Sequence, residues 1–294
     1  MTQAITGQTR VVGVWGHPVG HSRSPVMHNA ALAALGLDWV YAAFDVPPAR
    51  LAEAVMGVRG LGLVGVNVTV PLKELLPPLL DTLSDEARRI GAVNTIVNQD
   101  GVLHGDSTDG GGFLRALAEA GGPSLAGRRA LLLGAGGSAR AVAFALAGQG
   151  CEIVVANRTA HKAHALADAV NGCFGGQASA AGWGEDAGRV DLVVNATSLG
   201  LSPHPDAMPA LPPRLFDARP FVYDLIYNPA ETRLLQAARE AGCPVSSGLG
   251  MLAWQGALSL SLWTGLSLSE MPIAAMLRAI SPGLGERPAP YIPK

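Results

Sequence analysis

Lysine is scarce in this chain. Of its 294 residues, only Lys73, Lys162 and Lys294 are lysines, whereas 18 of the 21 basic residues are arginine. The net charge is -2, and the basic residues form no run or stripe. The sequence therefore gives no support to nucleic-acid binding. A lysine in such an arginine-rich chain suggests a task that arginine cannot perform.

Cysteine and long apolar runs are also rare. The three cysteines lie far apart with no C-x-x-C spacing, which predicts free thiols in a reducing compartment. No run of about 18 apolar residues is long enough to span a bilayer, and the first residues lack the apolar core of a secretory signal. The seven histidines show no ligand spacing. We therefore expect a cytoplasmic protein without a membrane span or a metal site.

Aromatic residues make up only 5% of the chain, but hydrophobic residues make up 49% and glycine is frequent. This composition allows one large domain or two smaller ones with a core of Ala, Val and Leu. Strand-like and helix-like segments alternate, and the second half follows a βαβαβ rhythm typical of a doubly wound parallel sheet. Ser24 is predicted as the N-cap of the first helix, before Pro25, and Asp100-Gly101 as the turn of a hairpin.

The stretch "LLLGAGGSARA" matches the G-x-G-x-x-A pattern of a dinucleotide-binding turn. It follows a predicted strand and opens a helix, which is the context that such a motif requires. The free N–H groups of that helix start would bind a pyrophosphate, although a tight turn without a ligand is the structural alternative. The candidate residues of this turn are Gly134, Ala135, Gly136, Gly137 and Ser138.

The end of the following strand reads "ANRTAHK", with no acidic residue. NAD sites usually place an acid there for the ribose 2′-hydroxyl, whereas NADP sites use arginine for the 2′-phosphate. We therefore predict NADP, bound by Asn157, Arg158, Thr159 and Lys162. Thr159 is also a candidate N-cap of the next helix, whichever cofactor binds.

Several motifs occur together and in order: "HSRSP", "NVTVPLK", "GAVNTI", "GDSTDGGG", "GAGGSARA", "NRT", "NATSLG", "YDLIYNPAETRLL" and "GLGMLAWQGA". With them the chain resembles the shikimate dehydrogenase family of NADP-dependent enzymes, over residues 11–265. The resemblance implies two α/β domains, with a substrate domain of residues 1–109 plus 251–294 and a Rossmann cofactor domain of residues 110–250. It also implies that the last helices return to the first domain.

The resemblance further implies which residues bind the substrate, a hydroxylated ring carboxylate. Two serines near a helix start would hold the carboxylate, which suits an anion, although capping alone would explain Ser24. Polar groups that donate and accept would hold the ring hydroxyls, although a satisfied core amide is the alternative for Asn94 and Gln255. The substrate residues are Ser22, Ser24, Thr69, Asn94, Tyr227 and Gln255. Asn67 and Asn195 are weaker candidates, and the alternative role for each is to shape a loop at a strand end.

Lys73 and Asp109 are the implied catalytic pair. Oxidation of an alcohol moves a hydride from carbon and a proton from oxygen; the nicotinamide takes the hydride, so the protein must handle the proton. Lysine exchanges protons in a dry cleft, whereas arginine practically cannot. Which member of the pair carries the proton stays open. The structural alternative for Lys73 is a solvated residue paired with Glu74 or Asp81.

The resemblance also places Leu225 and Gly248 beside the nicotinamide, with Met251 close by. Leu225 in a strand core and Gly248 in a turn are the structural alternatives. Two positions depart from the family pattern: Ser107 replaces an asparagine in "GDSTDG", and His161 with Lys162 stands where an arginine is frequent. We expect the first to alter a loop and the second to weaken 2′-phosphate binding.

The expected reaction is the NADP-dependent reduction of 3-dehydroshikimate to shikimate in aromatic amino-acid (chorismate) biosynthesis. The alternative enzyme is a quinate/shikimate or aminoshikimate dehydrogenase paralogue. A catalytically inactive, NADP-sensing regulator is a third hypothesis, which the intact Lys73 and Asp109 oppose. We expect a small-molecule substrate and, as a macromolecular partner, at most a second copy of the chain in a homodimer.

Overall fold

The computed structural model describes residues 4–281 of the chain. The first three residues and the last thirteen, which belong to the predicted substrate domain, lie outside the described residues. The strands are β1 (Arg10–Gly16), β2 (Trp39–Asp45), β3 (Gly65–Val68), β4 (Thr82–Leu83), β5 (Thr95–Gln99), β6 (Val102–Asp106), β7 (Arg129–Leu133), β8 (Glu152–Ala156), β9 (Ala178–Ala181), β10 (Leu192–Asn195), β11 (Phe221–Asp224) and β12 (Val245–Ser247).

The α-helices alternate with these strands. They are α1 (Ser24–Ala34), α2 (Leu51–Gly60), α3 (Asp85–Ile90), α4 (Asp109–Glu119), α5 (Gly137–Gly148), α6 (Ala160–Phe174), α7 (Arg233–Glu240), α8 (Leu249–Thr264) and α9 (Ile273–Ile280). Short 3-10 helices cover Pro48–Arg50, Pro77–Leu79 and Leu268–Glu270.

The strands form two six-stranded sheets. The first has the order β2-β1-β3-β5-β6-β4, in which β5 runs antiparallel to both its neighbours. Asp100 and Gly101 connect β5 to β6 with φ of 52° and 89°, so the predicted hairpin turn is confirmed. In the second sheet, β12-β11-β10-β7-β8-β9, each neighbouring pair is parallel.

The second sheet confirms the predicted doubly wound architecture. Counted from β7, its strand order is 3-2-1-4-5-6, with the change of direction between β7 and β10. The glycine-rich turn leaves β7 at this point and opens α5. Ligands of such sheets bind beyond the carboxyl ends of the strands near this switch, which is where the turn lies.

The last two helices return to the first sheet, as expected. Ala253, Ala257 and Leu260 of α8 share a buried core with Val12 and Val14 of β1. The indole Nε1 of Trp263 donates to the carbonyl oxygen of Ile96 at 2.9 Å. The C-terminal helices are therefore part of the layer that covers the N-terminal sheet. The predicted boundaries of the two domains stay a prediction.

The predicted helix start at Ser24 is wrong by one residue. Arg23 occupies the N-cap position with a helical backbone, and Ser24 is the first residue of α1, with no side-chain cap. The Ser24 hydroxyl is therefore not used by the helix backbone. This removes the capping explanation for Ser24, whose side chain instead hydrogen-bonds to the phenol of Tyr41.

Candidate active site

A solvent-open cleft of about 750 Å³ is lined by residues of β1 and β3 in the first sheet and by segments that follow β7 and β11 of the second. It is bounded by the ends of β1 and β3, the starts of α1, α4 and α5, and the beginning of α8. The structure brings the predicted substrate residues and the predicted catalytic pair to this one cleft. Its lining includes Ser22, Ser24, Thr69, Lys73, Asn94, Asp109, Tyr227 and Gln255.

Lys73 and Asp109 form an ion pair at the floor of the cleft. Both are buried, with 9% and 4% of their surface exposed. Lys73 Nζ donates to Asp109 Oδ2 and also to Ser138 Oγ at 3.0 Å. The solvated alternative for Lys73, with Glu74 or Asp81 as its partner, is therefore wrong, and Asp81 instead pairs with Arg59.

Asn94 fixes the other oxygen of the aspartate. Its amide Nδ2 donates to Asp109 Oδ1 at 2.8 Å and to Gln255 Oε1 at 3.3 Å. Its Oδ1 accepts the backbone N–H of Thr108 at 2.8 Å. A buried amide with these partners has little freedom to rotate, so Asn94 sets the plane of the Asp109 carboxylate.

A network of buried polar groups lies beneath Asn94. Ser259 Oγ is 2.8 Å from both Asn67 Nδ2 and Thr95 Oγ1, and 3.2 Å from Thr108 Oγ1. Asn67 Oδ1 accepts the phenol of Tyr41 at 2.8 Å. The network joins β2, β3, β5 and α8 directly under the cleft and supports the residues that hold Asp109.

Ser22 and Ser24 line the same cleft, just before and at the first residue of α1. The backbone N–H of Ser24 donates to Ser22 Oγ at 3.3 Å, which places the Ser22 hydroxyl against the start of the helix. Tyr227 approaches the same segment, and burial raises the pKa of its phenol, partly offset by the backbone N–H of Arg23. Two hydroxyls at a helix N-terminus with a neutral phenol nearby suit a carboxylate.

The glycine-rich turn borders two further clefts, of about 580 and 1260 Å³. Gly134 has φ of 112°, and a Cβ there would lie 3.0 Å from the carbonyl oxygen of Ala196, so only glycine permits this turn. At Gly136 a Cβ would meet nothing closer than Glu74 Oε1 at 4.0 Å. The backbone at Gly136 is therefore open to a phosphate group, which fits a dinucleotide.

The smaller of these clefts is lined by two of the four residues predicted to bind the 2′-phosphate and by three residues of the turn. Its lining includes Gly134, Ala135, Gly136, Asn157 and Arg158. Arg158 is exposed at its edge, and Lys162 lines the larger cleft. Thr159 lines neither; it is the N-cap of α6, and its carbonyl oxygen accepts Asn157 Nδ2 at 3.0 Å.

The larger cleft joins the turn to Lys73. Gly136, Gly137, Ser138 and Lys73 line it together, and Ser138 and Lys73 also line the first cleft. Leu225 lines both the substrate-residue cleft and this larger cleft, and Gly248 lines the substrate-residue cleft. At Gly248 a Cβ would overlap the Leu225 carbonyl, so this glycine permits a close approach of α8 to β11.

Several residues at these clefts have no signal in the sequence. Trp183 lines the smaller cleft, and Ser259 belongs to the polar network beneath Asn94. In the sequence, each looks like an ordinary loop or helix residue.

Asp224 at the end of β11 accepts hydrogen bonds from Asn195 Nδ2 at 2.9 Å and Thr232 Oγ1 at 2.6 Å. Burial raises the Asp224 pKa to about 6. Asn195 also accepts the Thr197 hydroxyl at 2.7 Å, so it shapes the cofactor-facing loop.

Over residues 4–281, no helix is both long and apolar enough to cross a membrane. In the same part of the chain, no group of three or more His, Cys, Asp or Glu side chains converges as a metal site would require.

Three family models match successive segments of the chain, which together cover 202 of its 294 residues. Residues 14–96 match the shikimate dehydrogenase substrate binding domain, residues 116–201 match shikimate / quinate 5-dehydrogenase, and residues 248–280 match the shikimate 5'-dehydrogenase C-terminal domain. The matched segments contain most residues that line the substrate cleft, whereas Asp109, Leu225 and Tyr227 lie between them.

Curated relatives and solved structures indicate the same family as these models. A shikimate dehydrogenase (NADP(+)) of Moorella thermoacetica is 51% identical over 96% of both chains. One of Methanopyrus kandleri is 47% identical over 94% of this chain and 97% of its own. A crystal structure of the Thermus thermophilus shikimate 5-dehydrogenase in complex with NADP(H) and shikimate has a TM-score of 0.82, with 47% identity over 92% of this chain and 98% of that chain. This chain, with its two sheets and the buried lysine–aspartate pair between them, belongs to the shikimate dehydrogenase family.

Proposed function

We propose that this enzyme catalyses the reversible NADP-dependent reduction of 3-dehydroshikimate to shikimate. The observation that carries the proposal is the position of Lys73 and Asp109, buried together at the point where the substrate cleft meets the glycine-rich turn. A carbonyl held there has a proton donor on one side and the cofactor site on the other. Family membership and the names of the relatives support the same activity.

In this proposal the substrate carboxylate binds Ser22 and Ser24 at the start of α1. The ring hydroxyls bind Thr69, Asn94 and Gln255, which can donate and accept hydrogen bonds. Tyr227 closes the carboxylate side of the cleft. Together these groups orient the ring so that its reacting oxygen faces Lys73 and Asp109.

The Lys73–Asp109 pair transfers the proton to the reacting oxygen of the substrate. When bound, NADPH supplies the hydride to the substrate carbon. As the carbonyl oxygen gains negative charge, the Lys73 ammonium donates a proton to it, and Asp109, fixed by Asn94, holds the ammonium in place. In the oxidation direction the same pair takes the proton from the hydroxyl. The assignment of the moving proton to Lys73 or to Asp109 stays open, because the two groups share it as a pair.

For the cofactor, the backbone of residues 134–138 would hold the pyrophosphate at the start of α5. Arg158, with Asn157, Thr159 and Lys162, would hold the adenosine 2′-phosphate, since guanidinium binds phosphate through two parallel hydrogen bonds. Leu225 and Gly248 would contact the nicotinamide. An arginine without a neighbouring acid at the end of β8 supports NADP over NAD.

The main alternative is a quinate/shikimate or aminoshikimate dehydrogenase. A steady-state comparison of shikimate with quinate, each with NADP and with NAD, separates the two hypotheses. We expect kcat/KM to be highest for shikimate with NADP. Faster turnover of quinate with NAD would refute this choice, and no turnover with any pair would favour the cofactor-binding regulator. The two-domain boundaries, the cytoplasmic location and a homodimer stay predictions.

A further inference from the structure

Ser138 belongs to the glycine-rich turn, but its side chain points away from the turn. It is the second residue of α5, and its Oγ lies 3.0 Å from Lys73 Nζ and 3.4 Å from Asp109 Oδ2. Helix starts bind phosphate through backbone N–H groups, so a cofactor does not require this hydroxyl. The Ser138 hydroxyl therefore has a second function available, at the lysine–aspartate pair.

The turn and the lysine are also in steric contact. A Cβ at Gly137 would lie 2.9 Å from Lys73 Cβ, which is closer than such atoms normally approach. Lys73 and Ser138 both line the substrate cleft and the larger cofactor cleft. The position of the lysine stem is therefore coupled to the position of the cofactor turn.

The number of donors on the ammonium explains why this contact matters. A lysine ammonium carries three N–H donors. Asp109 Oδ2 and Ser138 Oγ accept from two of them. With these two fixed, the third donor has one direction left, and a lysine side chain otherwise rotates freely about its four-carbon stem.

We propose that Ser138 is a positioning residue for proton transfer. Its hydroxyl accepts a hydrogen bond from the Lys73 ammonium and directs the remaining N–H toward the substrate oxygen. The inference rests on the proposed function, because it assigns Ser138 a part in the same proton transfer. It gives one residue two functions, with its backbone serving the cofactor and its side chain serving the lysine.

The test compares Ser138→Thr with Ser138→Val, which have the same shape and differ only in the hydroxyl. Both add the same bulk, so any steric effect on the cofactor is shared. We expect kcat to be about tenfold lower in the Val variant than in the Thr variant, which is the loss of one hydrogen bond to a charged group. The Kd of NADP, measured by protein fluorescence, should agree between the two within about twofold. Equal kcat values, or a difference confined to the NADP Kd, would overturn the inference.

A second measurement does not depend on turnover. Because the chain has only three lysines, mass spectrometry can follow acetylation at Lys73 with Lys162 as the internal reference. Only the neutral amine reacts, and the hydrogen bond to Ser138 stabilises the ammonium. We expect a higher Lys73-to-Lys162 ratio of rates in Ser138→Val than in Ser138→Thr. If this difference appears while the wild-type enzyme fails to oxidise shikimate, the contact stands and the proposed function is wrong. Equal ratios in an active enzyme overturn the contact.

Discussion

Replacing Lys73 by arginine separates its charge from its proton chemistry. Lys73 is 9% exposed and pairs with Asp109, which is itself 4% exposed. The Lys73→Arg variant keeps a cation that can donate to the Asp109 carboxylate. Arginine stays charged in proteins, so it cannot exchange the proton that the reaction moves.

The expected loss is large and confined to the chemical step. A positioned acid or base contributes about 10²- to 10⁴-fold, or about 3 to 5 kcal/mol of the barrier. We therefore expect the kcat for shikimate oxidation to fall by at least about 10²-fold in Lys73→Arg. The Kd of NADP should change by less than about threefold, since Arg158 is unchanged and arginine retains the Cβ, Cγ and Cδ atoms that lie against Gly137. Steady-state rates and a fluorescence titration measure the two quantities.

Lys73→Ala provides the contrast in stability. It leaves the buried Asp109 carboxylate with Asn94 Nδ2 and the Ser138 hydroxyl as partners. Breaking a buried pair costs about 3 to 5 kcal/mol, and less where a cleft admits water, so we expect a loss of about 2 kcal/mol in the free energy of unfolding. Lys73→Arg should unfold in urea near the wild-type midpoint. An arginine variant that keeps more than about a tenth of the wild-type kcat would refute the proton role of Lys73.

Three further predictions concern other parts of the site. Ser259→Ala should lower kcat by about threefold to tenfold, because the hydroxyl that joins Asn67 and Thr95 is lost at a cost of about 1 to 3 kcal/mol. The control Ser261→Ala, on the same helix, loses only a hydrogen bond to the backbone carbonyl of Leu266 and should leave kcat unchanged. Equal losses of kcat in the two variants would contradict the role of the network beneath Asn94. Arg158→Leu should raise the KM for NADP about 10- to 100-fold and the KM for NAD by less than about twofold; a rise in both would place Arg158 outside the 2′-phosphate site. Burial raises the Asp224 pKa from 3.8 to about 6. The favourable contribution of this carboxyl to the free energy of unfolding is therefore present below about pH 4 and is lost as the pH rises through about 6. In urea unfolding the wild type should therefore gain stability relative to Asp224→Asn as the pH falls from 7 to 4, and a difference independent of pH would contradict the raised pKa.

The sequence predicts the parts of the fold that depend on local chemistry. The Asp100-Gly101 hairpin and the Gly134 turn both need backbone conformations that glycine supplies, and both lie where predicted. The prediction of Ser24 as a cap is wrong because a serine before proline is a common helix start, whereas here Arg23 takes that position. Strands β9 and β12, with the sequences ASAA and VSS, contain one large apolar side chain between them, so no strand pattern is visible in either.

The support beneath the site escapes sequence-based prediction for a different reason. Asn67 and Ser259 are 192 residues apart, and a hydroxyl in the apolar helix α8 gives no local sign of a partner. The family resemblance does suggest Lys73, Asp109 and Asn94, because motifs record residues near the chemistry. It does not indicate Ser259, because this serine acts through other side chains.

The return of α8 to the first sheet is what makes this support possible. Where α4 and α8 cross, a Cβ at Gly112 would lie 2.7 Å from the backbone nitrogen of Gln255, so the helices touch at a glycine. Helix α4 begins at Asp109, and α8 carries both Gln255 and Ser259 one turn apart. This crossing brings Gln255 to Asn94 and Ser259 to Thr108. Asn94 in turn contacts Asp109, and Thr108 is the N-cap of α4. The surroundings of Asp109, a member of the proposed catalytic pair, therefore include a helix that follows the whole second sheet in the chain.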